Sequence, residues 1–198
     1  MSWKASQKVE PGLLEVLARA ALDAEAAVRS VRASAVENAA AVPWHKLMGS
    51  TRLERADGDT SVPGVDAIEG LRGKVVGLYF TASWCGPCHR FSPLLVRLYE
   101  QLKGGGAGGF EVVLVGWDDV EAERKTYARN AQMPWLSLPH EPRRLPDELT
   151  LRYGIEHIPS LVILEISADG KSAKVLSRDA RDEVIRGRAD WIERLRGA

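Results

Sequence analysis

An α/β fold with a mixed central sheet and helices on both faces is predicted by three features of this sequence. Two compact apolar runs, Val75-Val76-Gly77-Leu78-Tyr79-Phe80 and Phe110-Glu111-Val112-Val113-Leu114-Val115-Gly116, have the length and composition of strands buried on both faces. Segments of helical pattern follow each run, Phe91, Leu94, Leu95, Leu98 and Leu102 marking one apolar side of the first. A third run, Leu161 to Ile166, is joined through Asp169-Gly170 to Lys174-Val175-Leu176 as a strand pair. Strand, helix, strand, a further helix, a hairpin-linked pair and a last helix give a sheet with both kinds of neighbour.

The elements follow in chain order. Residues Pro11 to Ala41 read as one long Ala-rich helix, with Pro11 in its first turn and Pro43 beyond its end. This separates an N-terminal helical extension, residues 1–42, from a domain spanning 43–198. Leu14, Leu17, Ala21, Ala24, Val28, Val31 and Ala35 recur in alternating steps of three and four, a narrow stripe of mostly small residues. Three readings of the stripe stand: packing on the body of the protein, a seam for a partner helix or self-association through residues 11–41, or a mitochondrial transit peptide. Glu10, Glu15, Asp23, Glu25 and Glu37 argue against the last, since such peptides are poor in acids.

Val65 to Leu71 reads as a short strand or strand edge between the turns Ala56-Asp57-Gly58-Asp59 and Arg72-Gly73-Lys74. The glycines from Gly104 to Gly109 lack the Gly-Lys-Ser/Thr that opens a helix in a phosphate loop, and so read as a connector. Glu121 to Asn130 is a helix, Met133 to Leu136 a connector with an apolar anchor, Leu149 to Tyr153 the end of another helix, and about Arg188 to Leu195 the last.

Composition excludes several classes of function. Lys and Arg number 27 against 27 Asp and Glu, which offers no net field for nucleic acid or anionic membrane. Two cysteines support neither a disulfide-rich scaffold nor a zinc site, and no metal is expected. No run approaches the ~20 apolar residues of a membrane span, and the first residues lack a signal-peptide core. The expectation is a soluble, cytoplasmic protein, with the mitochondrion as the alternative the extension leaves open.

Trp84-Cys85-Gly86-Pro87-Cys88 lies between the first buried strand and the long helix. Two thiols three apart at a helix N-terminus can close on each other, while free backbone N–H groups and the helix dipole stabilise a thiolate on the first sulfur. Cys85 is the expected nucleophile and Cys88 the resolving thiol. Pro87 is tolerated in a first helical turn, and Gly86 lets backbone approach a substrate sulfur. His89 completes a Cys-x-x-Cys-His pattern that also fits covalent haem attachment, a reading that needs an exported protein and a haem pocket. The competing placement is a solvent-facing first-turn residue whose charge favours the Cys85 thiolate. Two unreactive buried thiols would not explain the placement.

Tyr153-Gly154-Ile155-Glu156-His157-Ile158-Pro159-Ser160 precedes a strand, and with the Cys-x-x-Cys it resembles the thioredoxin superfamily. That resemblance implies a thioredoxin-like fold, a cis Ile158-Pro159 bond beside the cysteines, and pairing of the Ile158 backbone with substrate. Val76 to Cys85, Phe91-Ser92-Pro93-Leu94-Leu95, Gly116-Trp117-Asp118-Asp119 and Met133 to Pro139 are similar to the tryparedoxin and nucleoredoxin branch, over about residues 44–185. The branch implies a protein-disulfide oxidoreductase without a bound cofactor. Peroxiredoxin-type targets and recharging by a low-molecular-weight thiol such as trypanothione or glutathione are implied with it.

Departures from the branch are Gly86 where it has proline, and His89 where it has arginine. Tyr79 stands where ordinary thioredoxins place a buried aspartate, so proton transfer at Cys88 needs another group or water. Asp118 and Asp119 are candidates, Asp119 by its acidic position in the branch, the alternative being that Asp119 caps the next helix. Trp117 and Trp135 read as core or rim aromatics. Arg181 resembles the branch's basic residue after the last strand, which either meets an anionic thiol or is simply solvated. Other readings of the whole are a disulfide isomerase or oxidase, and a redox-sensitive adaptor that holds a partner through its extension.

Overall fold

The computed structural model describes residues 11–103, 109–141, 143–187 and 190–196. After the long helix α1 (Pro11–Ala41) come α2 (Trp44–Met48), β1 (Arg52–Arg55), β2 (Val65–Asp66), α3 (Ala67–Leu71), β3 (Val75–Thr81) and α4 (Gly86–Lys103). Then follow β4 (Phe110–Gly116), α5 (Glu121–Asn130), β5 (Leu136–Ser137), α6 (Arg144–Tyr153), β6 (Ser160–Ile166), β7 (Ala173–Ser177), α7 (Arg181–Arg186) and α8 (Trp191–Arg196). The sheet runs β2-β1-β5-β4-β3-β6-β7. β4 is parallel to β3 and to β5, and the other pairs are antiparallel. This is the mixed sheet expected from the sequence.

β3 is buried throughout, and its side chains alternate between two cores. Val75 and Tyr79 face a core that also holds Phe91, Leu95 and Leu98 of α4, Tyr127 of α5 and Trp191 of α8. Val76, Leu78 and Phe80 face the other core, with Trp44 and Met48 of α2, Leu71 of α3, and Leu149 and Tyr153 of α6. Gly77 packs closely there: a Cβ would stand 3.1 Å from Leu161 Cδ1 and 3.3 Å from Phe110 Cζ, so those side chains would have to shift to admit it.

The segment Val65 to Leu71 differs from its expected strand. Only Val65–Asp66 pairs with β1, and Asp66 Oδ1 then accepts from the N–H groups of Ile68 and Glu69, at 3.0 and 3.1 Å. That cap turns the chain into α3, and Asp66 with Glu69 three residues on was the sequence signal for it. The anchor near Leu136 also goes further than a connector. Leu136 and Ser137 form β5, bridging β4 and β1.

α1 carries the stripe of small residues, and the side chains from 12 to 31 are all exposed. Packing on the body is therefore not achieved by Leu14, Leu17, Ala21, Ala24, Val28 or Val31. Ala35 and the connector 104–108 lie outside the residues whose side chains are described. α1 comes alongside α6, and just past its end the Arg152 guanidinium donates to the Val42 carbonyl. Among the described residues, no helix is long and apolar enough to cross a membrane, and no cluster of three metal-type side chains occurs.

Candidate active site

β3 ends at Thr81 and α4 begins at Gly86, so Cys85 arrives at a helix N-terminus from the centre of the sheet. Its carbonyl accepts from the N–H groups of Cys88 and His89 at 3.0 and 3.2 Å, closing the first turn. The Cys88 N–H also lies 3.2 Å from Cys85 Sγ. A thiolate at Cys85 would accept that N–H and meet the positive end of the α4 dipole. In this structure the two sulfurs are joined, with Cα atoms 5.2 Å apart.

The sulfurs are not equivalent. Cys88 is 0% exposed and Cys85 5%, while Trp84 beside them stands 63% exposed. The Ile158-Pro159 bond is cis, and the Ile158 carbonyl oxygen is 3.7 Å from Cys85 Sγ. Gly86 and Pro87 are both exposed, and a Cβ on Gly86 would meet no protein atom within 4 Å. Cys85 therefore faces the opening formed by Trp84, Gly86, Pro87 and Pro159, and Cys88 lies beneath.

Asp118 braces the approach to the cysteines. It is 1% exposed, its Oδ1 accepts from the Ser83 N–H at 2.8 Å, and its Oδ2 is buried without a hydrogen-bond partner. Arg143 Nη1 donates to the carbonyls of Gly116 and Asp118 at 3.2 and 2.9 Å, which fixes the end of β4. Asp119, favoured from its position, is exposed instead. Nor does it cap α5: the N-cap is Val120, with no side-chain cap bond, because the helix starts one residue later than that reading needed.

Below the disulfide the apolar core contains a cluster of hydroxyls. Ser92 Oγ donates to the Cys88 carbonyl at 3.0 Å, and lies 2.7 Å from Tyr79 Oη and 2.6 Å from Tyr127 Oη. Tyr127 Oη is 3.2 Å from Thr81 Oγ1. Each hydroxyl has one proton, so counting assigns the directions. Ser92 spends its proton on the carbonyl, hence both tyrosines donate to Ser92 and Thr81 donates to Tyr127. Burial, with Tyr127 beside it, pushes the Tyr79 phenol far above its ordinary range. Tyr79 thus remains a neutral donor and cannot stand in for a carboxylate base.

His89 is exposed, as the first-turn reading expected, with Nε2 2.6 Å from the Ser83 carbonyl and its ring 4.6 Å from that of Tyr127. Since a carbonyl only accepts, Nε2 carries the proton. Trp117 is half-buried and donates from Nε1 to Thr150 Oγ1 at 3.1 Å, and Trp135 is fully buried. Arg181 grips Asp179, with Nε and Nη2 2.6–3.0 Å from the carboxylate oxygens. Thr81, Ser92 and Tyr127 are part of the site that sequence reasoning missed. Ser92, one turn beyond Cys88, had a signal in its spacing; Tyr127 on α5 had none.

Comparison with known proteins adds to this geometry. A family model described as thioredoxin-like matches residues 73–171. The tryparedoxin of Trypanosoma brucei brucei is 40% identical over 139 residues, which cover 70% of this chain and 87% of the relative. The chain belongs to the thioredoxin-like family. It is a thioredoxin-fold thiol oxidoreductase with a redox cysteine pair, similar to tryparedoxin and nucleoredoxin. Xenopus laevis nucleoredoxin is 39% identical over 116 residues, but these make up only 26% of that protein. A solved tryparedoxin II in complex with glutathionylspermidine superposes with a TM-score of 0.58 and 33% identity, covering 71% of this chain and 90% of that one.

Proposed function

We propose that the chain reduces protein disulfides, with Cys85 as attacking thiolate and Cys88 as resolving thiol. The observation that carries this reading is the asymmetry of the pair: Cys85 Sγ lies beside the Ile158 carbonyl at an open rim, and Cys88 is buried beneath it. From the reduced state, the Cys85 thiolate attacks one sulfur of the target disulfide, forming a mixed disulfide and releasing the other sulfur as thiolate. Cys88, deprotonated, then attacks Cys85 Sγ, which expels the second target thiolate and forms the Cys85–Cys88 disulfide. Two electrons pass to the target in each cycle. Ile158 and Pro159 would align the target backbone, Trp84 would cover the reacting sulfurs, and Asp118 would hold Ser83 so that the loop keeps its place.

Peroxiredoxin-type proteins are the targets this reading favours, and a low-molecular-weight thiol such as trypanothione or glutathione would return the electrons. The similarity to a tryparedoxin that binds glutathionylspermidine supports such a donor. That direction of electron flow suits a reducing compartment such as the cytoplasm. The test is trapping: Cys88→Ser should accumulate a mixed disulfide with an oxidised peroxiredoxin, and Cys85→Ser should form none and lose disulfide reduction. Full activity in Cys85→Ser would refute the assignment. A reduction potential near about −180 mV, rather than nearer about −270 mV, would instead favour an oxidase or isomerase.

The exposed aliphatic side chains of α1 support a second role for the extension, as a handle for a partner or another copy. Deleting residues 1–42 would then abolish a complex and leave disulfide reduction intact.

A further inference from the structure

A cleft of about 350 Å³ opens beside the disulfide, between the first turns of α4, the cis-proline and α7. Pro87, Phe91, Leu94, Pro159 and Ile185 give it apolar walls, and Arg90, Arg181 and Asp182 supply the charges. Its place is fixed by Pro87, which lies between the two cysteines, and by Pro159, next to the Ile158 carbonyl that faces Cys85 Sγ. A chain whose sulfur reacts at Cys85 and which continues past Pro159 on this side meets the cleft, since Pro159 is one of its walls. Ile185, 61% exposed at its far side, offers such a chain an apolar contact.

The charges there are not equally available. Arg181 is held by Asp179, and Asp182 lies 3.9 Å from Arg186 across one helical turn. Arg90 is exposed, and no hydrogen bond or ion pair engages it among the described residues. Arg186 is shared between Asp182 and Glu183, at 3.9 and 3.2 Å, so Arg90 is the guanidinium lining the cleft that no carboxylate among the described residues holds.

We propose that this cleft binds an acidic, apolar segment flanking the reacting cysteine of a protein disulfide substrate, with Arg90 pairing the substrate carboxylate. This rests on the oxidoreductase reading above and adds the substrate class. An extended chain advances about 3.3 Å per residue, so an apolar side chain next to the cysteine would meet Phe91 and Leu94, and an acidic one two or three positions on would meet Arg90. Arg181, for which meeting an anion is one of two readings of the sequence, is a wall of the cleft whose charge Asp179 already balances.

The test uses peptides with one intramolecular disulfide, isoleucine beside one cysteine, and Glu, Gln or Lys at the two positions beyond it, in both chain directions. The wild-type protein should prefer Glu over Lys by about ten-fold in kcat/KM, mainly through KM, with the preference shrinking as salt rises. Arg90→Ala should bring the ratio to about one, Arg90→Glu should invert it, and Arg181→Ala should retain it. Because each variant is compared with itself across peptides, a general loss of activity does not mimic the result. Equal rates on all peptides in the wild type would overturn the inference, and so would a Glu preference that survives Arg90→Glu or disappears only in Arg181→Ala. A wild-type protein that reduces none of the peptides, although its cysteines are reduced, would overturn the oxidoreductase reading together with this one.

Discussion

Asp118 shows how much of this site depends on single atoms. One oxygen holds the N–H of Ser83, two residues before Cys85, and the other is buried without a partner. Asp118→Ala should cost about 2 kcal/mol, since the Ser83 N–H loses its acceptor. Asp118→Asn keeps an acceptor oxygen for Ser83 but removes the negative charge. A negative charge near Cys85 opposes the thiolate, so its removal should move the pH profile of Cys85 alkylation to lower pH. Titrating the reduced protein with a neutral alkylating reagent measures this, and an unmoved profile would show that the carboxylate acts through the hydrogen bond alone. The sequence made both Asp118 and Asp119 visible as candidates. Choosing between them needed the end of β4, where alternate residues point to opposite sides and only one can turn inward.

Helix α4 shows the same dependence at the scale of an element. Pro93 has no N–H for the His89 carbonyl, and Ser92 just before it turns its hydroxyl back to Cys88. Ser92 accordingly joins the Cys88 backbone to Tyr79 on β3 and Tyr127 on α5. Ser92→Ala would leave both phenols without their acceptor and should destabilise the fold by about 2 kcal/mol, or about 6 °C in Tm for a chain of this size. A thermal melt of the oxidised protein checks the value, and a change below 1 °C would mean that water replaces the hydroxyl. α1 gives the opposite expectation. Its side chains from 12 to 31 bury nothing, so removing residues 1–31 should leave Tm within about 2 °C. A larger fall at constant concentration would show that these residues are covered in solution.

Over the whole molecule, pH dependence follows from where the tyrosines lie. Burial raises the phenols of Tyr79, Tyr99 and Tyr153, with the Glu111 charge adding to the effect at Tyr99. A group whose folded pKa is raised contributes stability in full below its unfolded value, about 10, and loses it as pH rises toward the folded value. Alkaline unfolding should therefore begin above about pH 10, with tyrosinate absorbance from these three phenols appearing together with loss of helical ellipticity. A smooth titration at pH 10 in folded protein would contradict their burial. At acid pH the sign is reversed: hydrogen bonds lower Asp59, Glu121 and Asp169, so their contribution is present above about pH 4 and lost as pH falls through the lowered values. All three are at or near the surface, and solvent screening makes that loss shallow.

What the sequence determined by itself were the strands buried on both faces, the helix behind the cysteines and the place of the cysteine pair at its start, because period, length and the Cys-x-x-Cys spacing are local properties of the chain. It did not reveal β1, where only Leu53 is buried among polar neighbours, or α7, whose Arg-Asp-Glu start resembles a loop. Tertiary structure alone decided that Asp118 and not Asp119 reaches the loop, that Tyr127 joins the hydroxyls under Cys88, and that Asp179 occupies Arg181 and leaves Arg90 free. The first two depend on side chains 35 positions apart meeting, Asp118 with Ser83 and Tyr127 with Ser92, and such meetings follow from topology and burial; the third is a local pair whose geometry only the folded turn fixes.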